Sequence, residues 1–259
     1  MKNNLRTVCC LILSFLLLTM TACATSYGKT QDLIDAIEAQ DASKVTELLN
    51  EGLDPNALSG PSKNIFRIIN TFAEYSPQAP LAVACSTGNL EIVELLISYG
   101  ATAEYQEGAG WSPLAETLFY YHPDDLTIVK LLLENGADIK QKEADWLPVF
   151  QASRMIPRVY DAQRTNGTVF LEGYDEETAN GIVEIVKCLM GDFDINDQTT
   201  TKTTLLMNAA SVGNYALVEY LLSIGADSTL TDYNGKTAFD HAQEKGYADV
   251  AELLESVAE

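Results

Sequence analysis

Apolar residues are distributed in two different ways along this chain. Residues 8–18 form a run of 11, Val-Cys-Cys-Leu-Ile-Leu-Ser-Phe-Leu-Leu-Leu, bounded on the amino side by Lys2 and Arg6. From about residue 31 onward they recur three and four apart in short blocks. Examples are Leu90-Glu-Ile-Val-Glu-Leu-Leu-Ile and Leu126-Thr-Ile-Val-Lys-Leu-Leu-Leu. That spacing predicts helices burying one face. Gly100, Gly136 and Gly225 stand just past such blocks, where a left-handed stop costs glycine least. Pro113 stands at a helix start, where a fixed φ is useful and the missing N–H would be unpaired anyway.

The blocks also repeat. Aligned on the proline column, the anchors are Asp32, Pro80, Pro113, Pro148, Leu205 and Ala238, at spacings of 48, 33, 35, 57 and 33 residues. Each unit reads as a short helix start, a glycine such as Gly88, Gly213 or Gly246, a V-x-x-L-L helix, then Gly-Ala-Asp or a variant of it. This pattern resembles the ankyrin repeat. The resemblance implies an all-α solenoid of about six helix-pair repeats with short β-hairpin fingers and two insertions. The repeat domain is expected over 31–259, with a degenerate, polar first repeat acting as a cap and insertions at about 60–78 and 155–179. In the first insertion, Ile65, Phe66, Ile68, Ile69, Phe72 and Tyr75 recur at helical intervals.

Composition narrows the function. With 47% hydrophobic and 20% charged residues the chain is globular, and 16 basic against 37 acidic side chains leave a net charge of −21. Such a surface repels nucleic acid and anionic lipid heads. The histidines are His122 and His241, both read as structural, with His241 at a helical core position. There is no G-x-S-x-G, H-E-x-x-H or Walker loop. No catalytic residue, metal or cofactor is expected. Cys85 and Cys188 fall two repeats apart, roughly 20 Å, well past the ~7 Å Cα limit of a disulfide.

At ~1.5 Å per residue the first apolar run spans about 17 Å, half a bilayer core, which makes residues 1–22 a secretory signal. Its end, Thr19-Met20-Thr21-Ala22-Cys23, resembles the lipobox of bacterial lipoproteins, with Met20 where leucine is usual. The resemblance implies cleavage before Cys23, lipid on its sulfur, a short tether over 23–30, and, because Ala24 is not aspartate, sorting to the outer membrane with the body facing the periplasm.

Departures from the repeat supply the candidate contact residues. Trp111 and Trp146 stand two residues before Pro113 and Pro148, so they are expected side by side where finger meets helix. Tyr120 and Tyr121 lie in a lengthened helix–helix turn of repeat three. The second insertion interleaves Arg154, Arg158 and Arg164 with Tyr160, Phe170 and Tyr174. Tyr105 and Tyr233 complete the set. Arginine and aromatic residues dominate interface hot spots.

Repeats of this kind bind proteins without chemistry of their own. The architecture, lipobox plus ankyrin stack, resembles immunity lipoproteins that bacteria pair with phospholipase effectors of type VI secretion. It implies a monomeric, membrane-tethered inhibitor whose partner, a secreted phospholipase, presents a basic surface. The alternative is an envelope scaffold holding an endogenous periplasmic protein, for example in stress defence.

Overall fold

A computed structural model of the chain describes residues 28–59, 77–141, 147–157 and 175–257. Six helix pairs follow one another. They are α1 (28–38) with α2 (Ala42–Asn50), α3 (Pro80–Thr87) with α4 (Leu90–Ser98), and α5 (Pro113–Thr117) with α6 (Asp125–Glu134). Then come α7 (Pro148–Ala152) with α8 (Glu176–Met190), α9 (Leu205–Val212) with α10 (Tyr215–Ser223), and α11 (Ala238–Lys245) with α12 (Ala248–Ser256). From α3 onward each first helix packs on the first helix of the next pair, and from α2 onward the second helices do likewise. The result is one continuous core, running from Leu33 and Ile37 through Ile92, Ile128, Ile182 and Leu217 to Val250 and Leu254.

Local chemistry starts and stops the helices where the pattern requires. The side chains of Asn89, Ser112, Thr204 and Asn214 each accept an N–H from the first turn, and Thr237 with Asp240 forms a reciprocal capping box. Gly88, Gly213 and Gly246 close the first helices of repeats two, five and six at φ of 66°, 74° and 81°. Repeat one has Gln40 in this left-handed place, at φ 56°. Gln40→Gly is therefore expected to raise stability by about 1 kcal/mol in a denaturant titration.

Two boundaries differ from the sequence reading. Helix α1 begins at residue 28, inside the stretch assigned to the tether. The second insertion ends earlier than 179: Asp175 accepts the Thr178 N–H at 2.7 Å and starts α8 at Glu176. Helix α8, at 15 residues, is the longest helix among the described residues.

Among the described residues the fingers keep hairpin hydrogen bonds without regular strands. Asp232 donates its N–H to the Lys236 carbonyl at 2.9 Å, and Tyr233 donates across to Thr201 of the preceding finger at 3.2 Å. Strand geometry occurs elsewhere. β1 (Tyr120–Tyr121) pairs in parallel with β2 (Ile156–Pro157), joining the turns that follow α5 and α7.

A recurring asparagine locks one finger to the next. Asn56 Nδ2 donates to the Gly100 carbonyl at 2.8 Å while its Oδ1 accepts the Thr102 N–H at 2.8 Å. Asn196 treats Gly225 and Asp227 in the same way, at 3.4 and 2.8 Å. Each clamp satisfies one carbonyl and one amide across a repeat joint. Asn56→Ala or Asn196→Ala should each cost about 1–3 kcal/mol, read as a lower denaturation midpoint.

Candidate protein-binding surface

Helix α5 has only five residues, about 7.5 Å of rise. Repeat three carries no glycine between Pro113 and Pro123, so the chain leaves α5 through Leu118 and Phe119 instead of a left-handed stop. The short helix lets its two flanks meet: Trp111 and Phe119 stack edge-to-face with ring centroids 5.3 Å apart at 80°. Phe119 is 38% exposed and the adjacent Tyr120 40%. Phe119 was not singled out from the sequence; the missing glycine was the available signal. Tyr105, also 40% exposed, donates its hydroxyl to the Ala109 carbonyl at 3.4 Å, beside the finger leading to Trp111.

Tyr121 points inward. Its ring lies against α8 at Gly181, where any Cβ would collide with the phenol oxygen. Burial, with Asp125, Glu177 and Asp175 nearby, raises the phenol's pKa. Beneath it lies a buried pair. Asp125 is fully buried; its Oδ2 accepts the His122 backbone N–H at 2.6 Å, and its Oδ1 is 3.4 Å from His122 Nδ1. Burial dominates and raises the Asp125 pKa, although His122 opposes it. A carboxyl whose folded pKa exceeds its unfolded value holds its proton more tightly when folded, so its ionisation lowers stability as pH rises through the folded pKa. Asp125→Asn keeps an acceptor for His122 and removes that charge. The variant should equal or exceed wild type in stability at pH 7, with the advantage vanishing below the usual carboxylate range, checked by denaturation at both pH values.

His241 corrects an expectation: its side chain is 22% exposed and its Nε2 is 3.2 Å from Asp232 Oδ2, tying helix α11 to a finger instead of filling the core. Cys85 is buried and Cys188 half-buried, both free; burial pushes the Cys85 thiol up, out of thiolate chemistry. Tyr233 is 70% exposed on the last finger, with Lys202 Nζ 5.4 Å from its ring centroid. Arg154 is exposed just past α7. Trp146, Arg158, Tyr160 and Tyr174, the candidate anchor Cys23 and the helical spacing from Ile65 to Tyr75 lie outside the described residues, as does Arg164, so the described residues hold one member each of the tryptophan pair and the arginine cluster.

The candidates divide between two edges of the stack. The helices of a pair run antiparallel, which puts helix–helix turns at one end and fingers at the other. Tyr120, Tyr121 and Arg154 belong to the turn edge; Tyr105 and Tyr233 belong to the finger edge. Trp111 with Phe119 bridges the two along α5. Near Tyr105 a shallow groove of about 260 Å³ opens between the fingers of repeats two and three, lined by Glu104, Tyr105, Gly136, Asp138 and Gln141 among others. Among the described residues no cluster of three or more His, Cys, Asp or Glu could hold a metal ion, and no helix is long and apolar enough to cross a membrane.

Comparison with known proteins agrees with this architecture. Ankyrin repeat protein YahD of Escherichia coli (strain K12) is 25% identical over 230 residues, covering 86% of this chain and 94% of YahD. A Caenorhabditis elegans homologue of transient receptor potential cation channel subfamily A member 1 is 24% identical over 241 residues, 78% of this chain but only 18% of the channel. Among solved structures, a chain in the complex of the predatory endopeptidase Bd0816 from Bdellovibrio bacteriovorus with immunity protein Bd3460 superposes with a TM-score of 0.57. It is 25% identical, over 87% of this chain and 97% of that one. A family model for ankyrin repeats, in three copies, matches residues 33–143 and 177–258, which takes in most of the helix pairs. The chain belongs to the ankyrin-repeat family.

Proposed function

We propose that this ankyrin module is an immunity protein, binding and inhibiting a toxic hydrolase. The observation that carries the reading is the likeness, across nearly the whole of both chains, to a structure in which an endopeptidase is held by an immunity protein. The exposed aromatics around α5 offer the anchor such a complex needs. The net charge of −21 would steer a basic enzyme toward it and speed association. The chain itself performs no catalysis in this account.

The finer reading is a tethered inhibitor of a phospholipase effector of type VI secretion. Lipid on Cys23 would hold the body at the outer membrane, facing the periplasm. With helix α1 beginning at residue 28, four residues separate Cys23 from it, a reach of about 17 Å from Cys23 to residue 28. A second reading, favoured by the solved complex, makes the target an endopeptidase.

A protection assay separates these. Candidate phospholipases and endopeptidases are expressed in the periplasm with and without the full chain, and survival is counted. Rescue from one hydrolase identifies the target class. Rescue reduced by Cys23→Ser, with the protein level unchanged, supports the tether. Survival unaltered for every enzyme, with an endogenous envelope protein bound and active, would replace inhibition with the scaffold role.

A further inference from the structure

The finger joints are not all alike, and the difference marks a binding site. In five successive fingers one residue donates its N–H to a side chain two residues back: Asn56 to Asp54, Glu104 to Thr102, Lys140 to Asp138, Asn196 to Asp194 and Thr229 to Asp227. This fixes Asn56, Glu104, Lys140, Asn196 and Thr229 as one structural column. Where the column holds asparagine, its amide fills the joint, donating to the next finger's glycine carbonyl and accepting the N–H two residues on. Glu104 occupies the same place against repeat three. Its Oε1 approaches to 3.7 Å of the position a Cβ would take on Gly136.

A carboxylate cannot donate to the Gly136 carbonyl. Among the described residues no group donates to that carbonyl, and none accepts the Asp138 N–H. The joint therefore stays open as the groove of about 260 Å³. Its charged lining is all acidic: Glu104 and Asp138, one oxygen of which takes the Lys140 N–H, stand beside Gly136, with Ser112 and Gln141 as the neutral polar residues. The exposed Tyr105 ring lies among the lining residues.

We propose that this groove receives an arginine side chain of the protein partner. A guanidinium carries several N–H donors in a flat fork, so it can serve the carboxylate and the carbonyl together and lay its face on an aromatic ring. An ammonium would offer the charge without the plane. The arginine would take the donating half of the part that the asparagine amide plays at Asn56 and Asn196, with the donor supplied by the partner instead of the chain. The site rests on the reading of the chain as a protein-binding module, not on which enzyme it binds.

The test uses N-acetyl-arginine amide as probe, followed by amide NMR shifts of the full chain, with N-acetyl-citrulline amide as the uncharged isostere. Saturable shifts at Gly136 and Asp138 are expected with an apparent Kd of about 1–10 mM. Citrulline should bind at least about tenfold more weakly, because it lacks the charge-assisted bonds. Glu104→Asn should restore the internal clamp. It is expected to raise Tm by about 2–4 °C while abolishing the arginine shifts. A purely structural groove would move Tm and leave no probe binding in wild type. Absent or unsaturable shifts, equal shifts with citrulline, or unchanged binding in Glu104→Asn would each overturn the proposal. Failure of the hydrolase protection assay would leave these shifts in place, so the two ideas fail separately.

Discussion

Alanine at both Trp111 and Phe119 is expected to weaken binding of the protein partner by about 2–4 kcal/mol, a rise in Kd of roughly 30- to 1,000-fold. The two rings are in edge contact and sit on either side of a five-residue helix, so they act as one patch. Single alanines should therefore not add up to the double variant, and a double-mutant cycle will show coupling. Stability should fall far less. An edge-to-face pair contributes about 0.5–1.5 kcal/mol, and both rings are partly exposed, so much of their area is already in water. Isothermal titration with parallel thermal melts separates the effects. Wild-type affinity in the double variant would move the interface off repeat three.

Alanine at Gly88 or Gly213 should destabilise the stack by about 2–4 kcal/mol each, the sum of a left-handed backbone cost and a steric clash. At Gly88 the new methyl would lie 2.4 Å from His122 Cγ, and at Gly213 2.4 Å from Tyr247 Cδ1. Both rings belong to the neighbouring repeat, so the clash prises a joint apart and does not merely strain one turn. Gly246 supplies the control. It shares the conformation, at φ 81°, but has nothing within 4 Å of a built Cβ. Gly246→Ala should cost only the backbone part, about 1–2 kcal/mol. Urea denaturation of the three variants compares them directly. Equal losses at all three positions would mean that the clash relaxes freely.

The helix-pair pattern was readable because three signals coincide: apolar spacing, proline at the helix start and glycine at the stop. That is why Pro80, Pro113, Pro148 and the glycine closers locate elements correctly. Legibility ends where one signal is replaced by tertiary contact. Gln40 holds a left-handed turn that sequence assigns to glycine. Tyr121 looks like a free surface aromatic, yet it fills the space left by Gly181, 60 residues away in the chain. His241 has core spacing, but Asp232 on a finger draws its ring outward. Phe119 was hidden because a turn residue has no periodic partner; its neighbour, Trp111, comes to it only once α5 stops after five residues. The finger clamps were legible as a column only in retrospect, since the asparagine contacts lie 29 to 46 residues away.

The most direct test of the central claim is a titration of the isolated target hydrolase with the full chain, following activity at enzyme concentrations well above the Kd. The immunity account predicts activity falling linearly to zero at one chain per enzyme, with the Trp111→Ala, Phe119→Ala double variant giving a shallow curve instead. Full activity in a saturated complex would contradict it and leave a scaffold.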